Sequence, residues 1–356
     1  MLILSKSVRS KKYVYSFVCL FIMACCIIYS VNITNYVILG IKICLYSVIP
    51  SLLPFMLITN YMQAHNLCTT VSAIFYPIFN KLMSLSEYGT FALIIGFTSG
   101  YPMGAKIIGD LYSANNISFK EAKLLITFCN ISSISFLINY VLNKCLNNCI
   151  PPWLIILFVY LPPLLTGLFN SRFIKFTNNN NTVHTESTFN SILATLYSLA
   201  KLSIYIICFN ILVNFIININ KIPVLQKYII VGLTEITTAS LYISTESNLY
   251  LKIYLTCSSI ILSGLSIMFQ SFSFLNNSTL KRYYVLGKIE HFLIFNIIFI
   301  TIFIYINKYS LYNFQVLSSH LNTLTLSNLQ SKSQGILFTY SQSSWYIFWI
   351  FFDEIV

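Results

Sequence analysis

Apolar residues run along this chain in blocks of near membrane-spanning length, separated by short polar breaks. The first block is Tyr13–Val31. Tyr36–Met62 follows, with Pro50 and Pro54 inside it. Asn66–Met83 is shorter and carries Lys81 near its end, which reads as a helix lying along the interface. Gly89–Tyr112 is apolar but interrupted, and Glu121–Leu146 and Pro151–Phe169 each reach crossing length. A polar stretch, 171–187, contains Arg172, Lys175 and the run Asn178–Asn181. Beyond it lie Phe189–Ile219, the shorter Val224–Ile243, Leu249–Leu275 and His291–Ile306. A spanning helix needs roughly 20 apolar residues, and these blocks are continuous rather than alternating as barrel strands would be. The pattern predicts an all-α polytopic membrane protein with about 7–8 transmembrane helices.

Two blocks are built to break. GFTSGYPMGAK (96–106) holds three glycines, one proline and one lysine, and GLTEITTAS (232–240) interrupts the second half. Broken helices expose backbone groups that lipid cannot satisfy, so they are expected only against protein or a water-filled cavity. The four basic residues Lys6, Arg9, Lys11 and Lys12 place the N-terminus inside. If both broken segments are re-entrant, the Arg172/Lys175 loop and a loop holding Lys281, Arg282 and Lys288 also fall inside. Each half then reads span, re-entrant segment, span, with opposite orientation: two inverted repeats. The expected layout is an N-terminal signal-anchor helix (1–35), a first repeat (36–170), a cytoplasmic linker (171–188), an inverted second repeat (189–306) and a polar tail (307–356). That tail ends in SSWYIFWIFF, either at the interface or as the end of an eighth span.

Composition sharpens this picture. The chain has 57% hydrophobic and 8% charged residues. A soluble domain carries about 25% charged residues. The formal charge of +12 is scattered over loops and helix ends. It therefore points to topology and to an anionic ligand or lipid, not to nucleic acid. Ten cysteines contain no CxxC pair, and four histidines form no HExxH pattern. The cysteines read as small hydrophobes, with no metal or cofactor expected. No nucleophile–base pairing or phosphate loop is present, so the chain does not read as an enzyme.

The candidate binding residues lie at the breaks. Ser99, Gly100, Tyr101, Pro102 and Gly104 form the first break, where backbone dipoles can face a solute. Lys106 follows it, and a lysine at bilayer depth costs about 2.5–3.5 kcal/mol on insertion scales. Such a residue is expected to face a partner or ligand. Glu235 in the second break is its expected partner when the site is empty, with a substrate carboxylate replacing it when loaded. Asn130, Thr237, Ser266 and Gln270 complete the candidate set, each with a bond to its own helix backbone as the alternative. Lys42, Lys201 and Lys252 read as snorkelling residues.

SGYPMGAK (99–106), EAKLLITFCN (121–130), GLTEITT (232–238), GLSIMFQ (264–270) and the upstream PSLLPF (50–55) resemble the sporulation integral membrane protein family called YlbJ or SpoVV. The resemblance runs from about residue 37 to 305. It implies a nucleoside-recognition "Gate" domain and an architecture similar to concentrative nucleoside transporters. It also implies a part in endospore formation: transport of dipicolinate, a planar aromatic dicarboxylate, across the mother-cell-derived outer forespore membrane. The partners implied are a small anionic substrate and the lipid bilayer, and other sporulation membrane proteins are compatible with it. A carrier of nucleosides or other small anions, or a non-transporting sporulation scaffold, are the alternative readings. The chain departs from the family where it reads Ile131–Ser135 in place of a Gly-Pro, and where Ala239 and Ser240 replace a glycine.

Overall fold

The computed structural model describes residues 13, 16–17, 19–173 and 188–323, all-helical apart from turns and short breaks. The aromatic stretch at 343–352 and most of the linker lie outside the described residues. Helix α1 (Cys19–Ile28) meets α2 (Ser30–Ile43) at a 97° bend around Tyr29. The apolar block expected to run through Val31 therefore turns before it ends. A π-helical segment, Cys44–Val48, carries α2 into α3 (Ile49–Ala64). Pro50 sits in the first turn of α3, where its missing N–H costs nothing, and Pro54 lies inside the helix. The short helices α4 (Cys68–Ser72) and α5 (Tyr76–Met83) follow.

The first broken block forms α6 (Glu87–Ser99) and α7 (Met103–Ser113), which fold back on each other as a hairpin. Ser86 caps α6, its hydroxyl accepting from Gly89 N at 3.0 Å. Gly100 adopts φ +79°, a conformation glycine takes without a Cβ penalty. The next block is also broken. Helix α8 (Phe119–Phe128) unwinds over 129–133 and resumes as the π-helical segment Phe136–Cys145. Helix α9 (Pro152–Ser171) is unbroken.

The second half repeats this order. After the long α10 (Thr188–Asn218) come α11 (Val224–Thr234) and α12 (Ile236–Ile243), broken at Glu235. Helices α13 (Leu249–Leu262) and α14 (Gly264–Phe272) follow, separated at Ser263, which is left-handed at φ +63°. Helix α15 (Ser278–Thr323) closes the described chain. Lys281, Arg282 and Lys288 are therefore helical, and the basic loop expected there is absent. Arg282 stays at the helix start while Lys288 is buried.

Among the described residues, four helices can cross a membrane by length and apolar composition: Pro152–Ser171, Ile192–Asn218, Leu249–Phe272 and Ser278–Tyr305. The bent pair at Tyr29 makes up to five. The hairpin arms α6 and α7, at 13 and 11 residues, are each too short to span. Burial sorts the spans: 67% of the apolar stretch in Leu249–Phe272 is enclosed by protein, against 22% in Ile192–Asn218. Helix α10 accordingly buries Leu199, Leu202, Ile206 and Val213, a helical stripe, and turns Leu196, Ile204 and Leu212 outward.

Two compact units divide the chain at Phe295. The second begins at Asn296 and, as described, is the outer run of α15, where Phe299 and Phe303 stack at 6.5 Å. The core of the first unit gathers around the first hairpin: Phe91, Met103, Ile107, Leu124 and Phe128 are fully buried there. Lipid tails are as apolar as these side chains, so close packing and hydrogen bonds, not exclusion from water, hold helices together. Close approach is visible at Gly96 and Gly104. These glycines flank the hairpin tip, and a Cβ on either would strike the carbonyl oxygen of Cys129. Gly104→Ala is expected to destabilise the protein by about 1–3 kcal/mol through overpacking. Thermal unfolding of the detergent-purified protein should show the loss, with Ala105→Gly, a change in the same turn that adds no volume, as the comparison.

Candidate functional site

Each hairpin break packs against the break of the helix that follows it. In the first half, Tyr101 N donates to Ile131 O at 2.6 Å, and Gly100 lies against the backbone of Ser133. In the second, Gly264 sits where a Cβ would be 3.3 Å from Thr234 O. Breaks thus cover breaks, and the backbone groups freed by one element find protein in the other.

Helix α15 joins the halves here. Gly287 lets it touch the backbone of Thr127 at the end of α8. From that contact Lys288 Nζ donates to Asn130 O at 2.6 Å. Asn130 is the hub. Its Oδ1 accepts from Ala105 N at 3.2 Å, and its Nδ2 faces Ser271 Oγ at 3.0 Å and Tyr284 OH at 3.3 Å. The Tyr284 hydroxyl in turn meets Ser263 Oγ at 2.8 Å, at the second-half break. Tyr160 OH of α9 donates to the carbonyls of Phe97 and Ser132, at 2.9 and 2.8 Å, pinning the first break from behind. Tyr140 OH donates to Thr237 O at 2.9 Å, linking the interrupted helix of the first half to the second hairpin.

Of the sequence-predicted residues, Gly100, Tyr101, Gly104 and Asn130 come together at 129–133, with Ser99 and Pro102 adjoining them in the chain at the hairpin tip. Ser99 Oγ and Tyr101 OH are buried without hydrogen-bond partners. Ser266 and Gln270 are buried on α14, where Gln270 Nε2 donates to Ser266 Oγ at 3.1 Å. Lys106 and Glu235 do not pair. Lys106 Nζ is held by Asp110 Oδ2 at 2.7 Å, one turn along α7, and donates to Asn60 Oδ1 at 2.8 Å. Glu235 instead caps α12, accepting from the amides of Thr237 and Thr238 at 2.9 and 2.7 Å. A carboxylate at a helix start gains both bonds and the dipole, which a lysine on another helix does not offset. Lys201 Nζ, read as snorkelling, reaches Ser273 O at 2.9 Å.

Lys106 opens onto a cavity of about 540 Å³, bordered by Asn60, Gln63, Tyr88, Asp110 and Phe274. The cavity brings α3, α7 and α10 together, and Asn60 Nδ2 donates across it to Thr195 Oγ1 at 2.6 Å. Its mixture of one buried cation, amides and aromatic faces suits a small polar solute with an aromatic body.

Sequence reasoning missed Tyr284, Lys288 and His291 as site residues. Their spacing held the signal. Tyr284, Lys288, His291 and Phe295 recur at four, three and four residues, one face of a helix, and all four are buried. Glu121, noticed in EAKLL, is structural: its Oε1 accepts from Ser86 N at 2.8 Å, tying the start of α6 to α8. Asn130→Ala would leave Ser271, Tyr284 and the Ala105 amide short of a partner. The expected cost is about 3 kcal/mol, from orphaned buried groups at roughly 1–3 kcal/mol each. The drop in unfolding temperature should exceed that of Asn139→Ala, whose side chain is bonded only to Ser135 at an exposed position.

Residues 45–143 match the family described as Gate, nucleoside recognition. Over 90 residues the chain is 33% identical to the sporulation integral membrane protein YlbJ of Bacillus subtilis (strain 168). That stretch covers 25% of this chain and 22% of the relative. No solved structure matches the chain. The matched family segment contains Asn60, Lys106, the first hairpin and Asn130, so it frames the first-half part of the site. The protein is thus an integral membrane protein with several apolar helices that resembles the Gate family over residues 45–143 and the sporulation membrane protein YlbJ over 90 residues.

Proposed function

We propose that this protein is a membrane carrier for a small aromatic dicarboxylate, with dipicolinate the leading candidate, acting in endospore formation at the outer forespore membrane. The observation that carries this reading is the meeting of broken elements: in each half a hairpin break faces a helix break, inside a bundle that otherwise spans. A scaffold gains nothing from such breaks, because unbroken helices satisfy their own backbones at no cost. A carrier gains exposed backbone dipoles and hinge points at one depth.

The two halves share an element order: hairpin, interrupted helix, unbroken helix. On this reading they are inverted repeats, and transport is a rocking of the hairpins that opens the breaks to one side and then the other. The Lys106 cavity is the approach. Lys106 is already neutralised by Asp110, so an arriving carboxylate competes for it, which favours loose capture over tight binding. Ser99, Gly100, Tyr101, Pro102, Gly104 and Asn130 then line the path, with Glu235, Thr237, Ser266 and Gln270 in the facing half. The relation to a sporulation protein supports the cellular setting. The description of the Gate family as nucleoside recognition supports a second cargo class, nucleosides, with the same architecture.

Uptake of labelled pyridine-2,6-dicarboxylate into liposomes holding the purified protein tests the reading. Wild type should accumulate it. Lys106→Ala should lose about tenfold or more in rate, as removal of a buried charge partner does, while Lys106→Arg retains part. Inhibition by uridine with indifference to dicarboxylates would turn the assignment to nucleosides. A correctly inserted protein that moves neither would remove the carrier reading.

A further inference from the structure

Helix α15 buries an ammonium that no carboxylate answers. Lys288 is 6% exposed, and no carboxylate among the described residues lies within ion-pair distance of it. Its ammonium donates to the Asn130 carbonyl. His291, one turn on, is 1% exposed; the Thr127 backbone holds one ring nitrogen and Nε2 has no partner. Two more buried hydroxyls lie at the same place and make no hydrogen bond outside the cluster. Ser132 Oγ borders the same void as Lys288 and His291, and Tyr101 presents its ring 5.7 Å from Lys288 Nζ with its hydroxyl turned toward Ser132. The void is too narrow to admit a water molecule, so solvent does not meet these needs in this conformation.

These groups have one chemistry in common. Lys288, Ser132 and Tyr101 are donors, and His291 Nε2 becomes one when it takes up a proton. Glu235 acts on Tyr101 electrostatically, but its two carboxylate oxygens are taken by the Thr237 and Thr238 amides, and among the described residues no carboxylate bonds to the cluster. Lys288 is the charged group that acts on His291, and among the described residues the other elements packed against it bring none: α8 contributes the Thr127 backbone, the unwound segment Ser132, α9 Val159 and α13 Ile260 and Ile261. Glu290, the neighbouring acid on α15, is turned away and bonded to Asn170. Clusters of unpaired buried polar atoms are rare in native proteins and call for a reason.

We propose that Lys288, His291, Ser132 and Tyr101 form a proton-linked carboxylate subsite, deeper than the Lys106 cavity. It rests on the carrier reading above and specifies the substrate class and its coupling. When the breaks open, a carboxylate of the solute replaces the Asn130 carbonyl as the partner of Lys288. One proton from the aqueous phase adds to His291 Nε2. Ammonium and imidazolium together match the two negative charges of a dicarboxylate, so the loaded site is neutral. On release the anion and the proton leave together, and Lys288 returns to Asn130. A monocarboxylate needs no second positive charge, and a neutral nucleoside needs neither.

The test uses the full-length protein in liposomes with a trapped pH dye and pyridine-2,6-dicarboxylate outside, without an imposed pH difference. Wild type should take up the anion and acidify the lumen together, above the level of protein-free liposomes, and uridine should leave the lumen pH unchanged at the same concentration. Lys288→Met should lose uptake by at least about tenfold. His291→Gln should lose lumen acidification, with residual uptake no longer rising as external pH falls. Ser132→Ala removes a hydroxyl that makes no bond outside the cluster, so it should fold normally and raise the KM for the dicarboxylate. If Lys288→Met fails to insert, the Ser132 variant decides, and an unchanged KM overturns the subsite. Wild-type uptake without acidification, or full coupled uptake by Lys288→Met, overturns this inference and leaves the carrier standing. No uptake of any dicarboxylate by wild type removes the carrier and the subsite with it.

Discussion

Backbone satisfaction in an apolar medium governs this structure. An amide or carbonyl left bare in hydrocarbon costs several kcal/mol, and every helix break frees several of them. The breaks at Gly100–Pro102, 129–133, Glu235 and Ser263 are each met by protein. The two halves solve the problem differently. The first uses main chain on main chain, Tyr101 to Ile131. The second uses a carboxylate, with Glu235 capping the helix its own position interrupts. Asn130 then supplies amide and carbonyl groups to four partners from other elements, so the breaks of both halves share one hub.

Close approach makes the hub reachable. Gly96 and Gly104 let the hairpin straddle the Cys129 carbonyl, and Gly287 lets α15 lie on Thr127. With no hydrophobic force between helices in lipid, such contacts carry much of the specificity of assembly. They also explain why a helix as apolar as α15 holds Tyr284, Lys288 and His291 on one face: that face never meets lipid.

The sequence made the helical membrane class, the two broken segments and the first-half cluster legible, because glycine, proline and long apolar runs act locally. Partners were not legible. Nothing in spacing says that Lys106 turns to Asp110, although four residues on one helix is pairing distance. Glu235 reads as an intramembrane charge until its two amide bonds are seen. Lys288 was grouped with Lys281 and Arg282 as a basic loop because three cations in eight residues look solvated. Helix α15 begins at Ser278 instead, and one turn of a helix separates exposed Arg282 from buried neighbours. Charge density misled where helical phase would have served.

The Lys106–Asp110 pair has a consequence for biosynthesis. Both residues sit on α7, so that lysine carries its own counter-charge and the first hairpin can enter the bilayer before any later helix exists. Lys288 is different. Its acceptor, the Asn130 carbonyl, is made more than a hundred residues earlier, and the unwound segment at 129–133 must wait, only partly covered, for α15. The last described helix to be synthesised is the one that closes the centre. Assembly of this protein therefore has a direction: a first half left open at 129–133, then a completing strut whose arrival covers that opening.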